Sequence, residues 1–186
     1  MCNNTRSPEE IDPGRRLLMR ASLAGAVLAA APLSSVWAAS ERRLALRNLH
    51  TGEQINQPYW MQGEYLPESL SAINSVLRDH RSGEVYPIDP GLLDLLSALR
   101  ERLGSHHGYE VISGYRSPAT NGMLRSAGNG VARRSLHMKG QAIDIRLPGT
   151  GLAQLHGAAR EMKSGGVGLY TSSNFIHVDT GRVRYW

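Results

Sequence analysis

An α+β domain, with a small antiparallel sheet and helices packed on one side of it, is the fold this sequence predicts. Three observations carry that reading. Segments with strand alternation stand near the front, in the middle and at the end of the chain. Two successive segments of helical period separate the first strands from the later ones. The late strands each have one apolar and one polar face, which suits a sheet covered by helices on a single side.

Residues 1–38 are set aside first, because they read as a Tat-type signal peptide. Arg15 and Arg16 form a twin-arginine pair, Leu17 to Ala31 make an Ala/Leu-rich apolar run, and Val36-Trp37-Ala38 fits a small-residue cleavage site. Arg20 and Ser22 interrupt the run, and it is short for a membrane span of about 20 apolar residues. The expectation is export to the periplasm, cleavage ahead of Ala39, and no stable membrane insertion afterwards. An uncleaved N-terminal anchor is the alternative.

Residues 39–186 are then expected to form a single domain, since 186 residues are too few for two comfortable ones. A hydrophobic content of 41% suits a globular core. Cys2, the only cysteine, lies in the leader, so the domain has neither a disulfide nor thiolate chemistry. The net charge of +5 is spread over scattered arginines, with only short pairs such as Arg42-Arg43 and Arg133-Arg134. That pattern excludes a nucleic-acid-binding stripe. It is compatible with an acidic polymer outside the cytoplasm. A monomer is expected.

The elements follow in order. "RLALRNLHTGEQINQPYW" alternates as two strands around a turn at Thr51-Gly52. "PESLSAINSVLRDHR" carries Leu70, Ile73, Val76 and Leu77 at helical spacing, between Pro67 and Gly83. "DPGLLDLLSALRERLG" repeats the design, with Asp89 as N-cap, Pro90 in the first turn and Gly104 at the end. "YEVISGY" is a short strand, "SPATNGMLRSAG" a short helix and "QAIDIRL" a strand. "GLAQLHGAAREMKSGG" is a helix closed by Gly165 or Gly166. "VGLY" and "FIHVDT" form a closing hairpin around residues 171–174.

Side chains alternate faces along a strand. In "AIDIR", Ile143 and Ile145 therefore point one way and Asp144 the other. In "FIHVD", Ile176 and Val178 oppose Phe175, His177 and Asp179. If the two strands are neighbours, Asp144 and His177 lie side by side, and His137 reaches them from the preceding loop. Two imidazoles and one carboxylate, with water in the fourth place, make a common zinc set. On spacing alone the trio reads equally as a buried hydrogen-bonded cluster.

The stretch Ser135-Leu-His137-Met-Lys-Gly140-Gln-Ala142-Ile-Asp144 resembles the S-x-H-x-x-G-x-A-x-D motif of the zinc D-Ala-D-Ala peptidase superfamily, which shares its fold with hedgehog and lysostaphin-type peptidases. Within it, the chain is most similar to the murein endopeptidase K (YcbK-like) group. The matching segments are "LHTGE", "IDPGLLDLL", "ISGYRS", "SLHMKGQAIDI", "GGVGLY" and "SNFIHVDTG", which span nearly all of residues 39–186. The resemblance implies Zn²⁺ held by His137, Asp144 and His177. It also implies cleavage of peptidoglycan stem-peptide crosslinks, here the 3-3 bond between two diaminopimelate residues.

The match departs from the superfamily at one point. Other members carry Glu, Asp or His two or three residues before the last zinc histidine, as general base. Here those positions hold Phe175 and Asn174, neither of which takes a proton from water. Asp179, on the strand face of His177, is either the base or a support that orients a ligand. Arg116 follows a strand and a Gly-Tyr, and the resemblance implies that it clamps a substrate carboxylate or stabilises an oxyanion. From its residue type alone it reads as a solvated surface arginine. Two rivals stay open: a D,D- or L,D-carboxypeptidase on the same scaffold, and a zinc-stabilised wall-binding module without catalysis.

Overall fold

The computed structural model describes Met1, residues 41–128 and residues 131–186. Apart from Met1, the expected leader, residues 1–38, lies outside the described residues. Strands β1 (Glu41–Asn48) and β2 (Gln54–Met61) form the first hairpin, and a two-residue β3 (Glu64–Tyr65) folds back on β2. Helices α1 (Pro67–Val76) and α2 (Pro90–Arg102) follow, then β4 (Tyr109–Ser113) and α3 (Pro118–Ser126). A 3₁₀ turn over Leu136–Lys139 leads into β5 (Ala142–Arg146). Helix α4 (Leu152–Met162), β6 (Gly166–Tyr170), β7 (Phe175–Asp179) and β8 (Arg184–Tyr185) complete the described chain.

The strands make one sheet in the order β3-β2-β1-β4-β5-β7-β6-β8. The α+β class is as expected, but the sheet is larger and mixed, because β1–β4 and β6–β8 pair in parallel. A parallel pair needs a long crossover. Between β1 and β4 the hairpin and two helices supply it. The strands β3 and β8 are too short to display an alternation, which is why sequence patterning passes over them.

Local chemistry sets the helix ends. Asp89 accepts the Gly91 N–H at 2.9 Å and caps α2. Ser117 caps α3 through the Thr120 N–H at 3.2 Å. Helix α1 stops at Val76, short of the expected Gly83. Its terminal carbonyls are taken elsewhere: Asn48 Nδ2 donates to Val76 O and the Tyr115 N–H to Leu77 O, each at 2.8 Å. Helix α4 ends at Lys163, whose φ of 51° is left-handed, so neither Gly165 nor Gly166 closes it.

The core lies on one face of the sheet. Ile73 and Leu77, Leu92, Leu93, Leu96 and Leu99, with Leu155 and Ala159 of α4, pack against Leu44, Leu46, Val111, Ile143, Ile145, Ile176 and Val178. Each fully buried leucine contributes about 1.5–3 kcal/mol relative to exposure. The opposite face of β5 and β7 carries Asp144, His177 and Asp179, all buried.

Candidate metal centre

Three elements bring the candidate ligands together. Strands β5 and β7 are antiparallel, and their register sets Asp144 directly opposite His177. His137 arrives from the 3₁₀ turn. That turn is pinned by Gly140, whose φ of 64° is left-handed. A Cβ at Gly140 would run into the Pro87 carbonyl, and the Asp89 N–H donates to Gly140 O at 2.9 Å. Gly140 is therefore small so that the 87–89 backbone can cross it.

His137 Nε2 lies 3.2 Å from His177 Nδ1 and 3.3 Å from Asp144 Oδ1. His177 Nδ1 lies 2.9 Å from Asp144 Oδ1. Zinc bonds of about 2.0–2.1 Å at tetrahedral angles require ligand atoms about 3.3 Å apart. The triangle is thus close to the edge length that a tetrahedral ion needs. The other nitrogen of each imidazole is also held: His137 Nδ1 donates to Gly114 O at 2.7 Å, and His177 Nε2 to Asp179 Oδ2 at 2.9 Å. Such bonds fix the tautomer and aim the free nitrogen at a metal. The donor set and its supports fit the implied ion.

Electrostatics ties the trio together. Burial alone would raise the Asp144 pKa, but His137 and His177 outweigh it and hold the carboxyl well below its ordinary range. Burial alone would lower His177, yet Asp144 and Asp179 together lift it above the usual histidine value.

Asp179 is fully buried and fully engaged. Its Oδ1 accepts the Gly166 N–H at 3.0 Å, the Gly181 N–H at 2.9 Å and Arg184 Nη1 at 3.0 Å. Its Oδ2 accepts Arg184 Nη2 at 2.6 Å as well as His177. These bonds overcome the burial penalty and keep it ionised. A Cβ on Gly166 would sit 2.5 Å from Asp179 Oδ2, and one on Gly168 2.5 Å from Trp186 Cε2. Gly166 and Gly168 therefore make room for this carboxylate and for an indole.

Arg116 is no solvated surface residue. Its side chain is 11% exposed, Nη2 lies 3.7 Å from Asp144 Oδ2, and Nε is buried without a partner. It lines a pocket of about 380 Å³ together with His137, Asp144 and His177. The far wall is aromatic. Tyr170 stacks on Phe175 with centroids 4.6 Å apart, and Trp186 Nε1 donates to Tyr170 Oη at 3.0 Å. Asp144 is the only carboxylate among the described lining residues.

The family model described as Peptidoglycan L,D-endopeptidase MepK matches residues 36–186. The chain belongs to the MepK family. The Peptidoglycan L,D-endopeptidase MepK of Escherichia coli strain K12 is 40% identical to it over 181 residues, which is 96% of this chain and all of that one. A Probable peptidoglycan L,D-endopeptidase MepK of Haemophilus influenzae is 40% identical over 155 residues, 83% of each chain. A crystal structure of the Serratia marcescens L-Ala D-Glu endopeptidase ChiX overlaps 51% of this chain and 68% of its own, at 21% identity and a TM-score of 0.35. Among the described residues no helix is long and apolar enough to cross a membrane.

The trio of His137, Asp144 and His177 is legible in the sequence. Arg184, Tyr170 and Trp186 are not. The one signal for Arg184 is an arginine five residues beyond Asp179, after a Thr-Gly turn. Trp186 meets the His177 ring at 5.2 Å, but only through the parallel β6–β8 pairing, which no local pattern announces.

Proposed function

We propose that the protein is a zinc-dependent murein endopeptidase of the periplasm, which hydrolyses peptidoglycan crosslinks and in first place the 3-3 bond between two diaminopimelate residues. The observation that carries the reading is the near-tetrahedral triangle of His137 Nε2, Asp144 Oδ1 and His177 Nδ1 in a chain of the MepK family. Bound there, zinc would polarise the scissile carbonyl and bring the pKa of a water toward 7.

The chain's own residues do the rest. Arg116, with its unpartnered Nε in the pocket wall, meets the negative charge that develops on the scissile carbonyl oxygen. Asp179 orients His177 and is not the base, because it is fully buried, does not line the pocket, and already accepts bonds from Gly166, Gly181, Arg184 and His177. No protein carboxylate is assigned as base.

Digestion of purified sacculi tests this. Crosslinked dimers become monomers, and a zinc chelator stops the reaction. Arg116→Ala lowers kcat/KM by about 10²–10³-fold with zinc content unchanged. Stem shortening with dimers intact would mean a carboxypeptidase, and neither change would mean a binding module. Full activity in chelator would remove zinc from the reaction.

We further propose Tat export, on the Arg15-Arg16 pair and the apolar run behind it. Replacing both arginines by lysine retains the chain inside the cell. Unaltered export of that variant would refute the Tat route.

A further inference from the structure

The metal triangle needs no contribution from β8, yet the most tightly held charge beside it comes from there. Arg184 meets Asp179 with two parallel bonds, Nη1 to Oδ1 at 3.0 Å and Nη2 to Oδ2 at 2.6 Å. Asp179 Oδ2 in turn accepts from His177 Nε2. The guanidinium, 30% exposed, thus touches a fully buried carboxylate whose other side touches a candidate ligand. The surrounding backbone is shaped to admit the pair. A Cβ at Gly166 would stand 2.5 Å from both Arg184 Nη1 and Asp179 Oδ2, and one at Gly181 3.0 Å from Asp179 Oδ1. Trp186 closes the arrangement, 5.1 Å from the Arg184 Cζ and 5.2 Å from the His177 ring.

We propose that Arg184 is a positioning residue of the metal centre: acting through Asp179, it fixes the orientation of the His177 ring, with Nε2 on Asp179 and Nδ1 turned toward His137 and Asp144. A two-pronged arginine fixes the carboxylate in plane and in rotation, which a single bond does not. With Oδ2 fixed, His177 keeps one ring orientation before any ion arrives. The proposal rests on the reading of His137, Asp144 and His177 as zinc ligands, and its test is built to separate the two.

Zinc affinity is measured on the full chain by competition with a chromophoric chelator. The His177 ring orientation is read in the metal-free protein from nuclear Overhauser contacts between its ring protons and Trp186. Arg184→Met weakens zinc by about 10–100-fold, the usual loss when a ligand's hydrogen-bond partner fails, and mixes the ring orientations. Arg184→Lys, which keeps the charge without the fork, falls between Arg184→Met and the wild type. Asp179→Asn loses as much as Arg184→Met. The double variant loses no more than Asp179→Asn alone, within about twofold, because the two residues act in series.

A merely structural tie between β8 and the sheet predicts otherwise. Wild-type affinity and an unchanged ring orientation in Arg184→Met, with only the melting temperature lowered, would overturn the proposal, as would additive losses in the double variant. If Arg184→Met leaves Asp179 as an unpaired buried charge and fails to fold, Arg184→Lys keeps a cation beside Asp179 and decides instead: wild-type affinity and ring orientation in that variant would overturn the proposal. A wild-type protein that takes up no zinc would refute the ligand reading, and the ring-orientation measurement would then decide for or against Arg184 by itself.

Discussion

Replacing His137, Asp144 or His177 by alanine, one at a time, leaves a folded protein with no measurable turnover. Each change removes one corner of a triangle whose edges are 2.9, 3.2 and 3.3 Å. Two remaining ligands do not hold zinc against a chelating buffer. A water without the ion returns from a pKa near 7 to about 15.7, so the rate falls by at least about 10³-fold. The three variants differ in what they expose. Asp144→Ala strips Arg116 of the anion 3.7 Å away, whereas His177→Ala leaves the Asp179–Arg184 pair intact. Elemental analysis and turnover on each variant check the claim. Any one of the three that keeps substantial activity is not a zinc ligand.

Asp179→Asn separates orientation from proton transfer. As a support for His177, Asp179 keeps Nδ1 aimed at the triangle, and its amide replacement loses the charge that both His177 and Arg184 meet. Zinc then binds about 10–100-fold more weakly, and excess zinc restores most of the rate. A general base behaves in the opposite way: zinc stays bound and kcat falls by about 10²–10⁴-fold at every zinc concentration. Titrating zinc while following kcat gives one result or the other. A zinc-independent loss would return Asp179 to the role of base, despite its burial.

Much of this was legible in the sequence, for a physical reason. Period-2 alternation in "AIDIR" and "FIHVD" assigns Ile143, Ile145, Ile176 and Val178 to the core and Asp144, His177 and Asp179 to the other face. The observed register then needed only the two strands to be neighbours. The Asp89 cap and the α2 span were equally local. The failures were non-local. The end of α1 is decided by Asn48 and Tyr115, from distant segments. The glycines of β6 are explained by Asp179, Arg184 and Trp186. The burial of Arg116 depends on the loop around it, whose Ser117 N–H is held by the buried Asp79 carboxylate at 2.9 Å. No window of a dozen residues contains both members of such pairs.

The alternation that makes the ligands legible also couples their tolerances. Ile143 and Ile145 flank Asp144, and Ile176 and Val178 flank His177, each one peptide away and on the reverse side of the same ribbon. On the zinc reading proposed above, a methyl group lost under the helices acts on a candidate ligand one peptide away, and such sites need their geometry held to within about 0.5 Å. These four aliphatic positions therefore serve volume on one side and aim on the other. A shortened side chain in the hydrophobic layer of β5 and β7 is expected to change zinc affinity as well as stability.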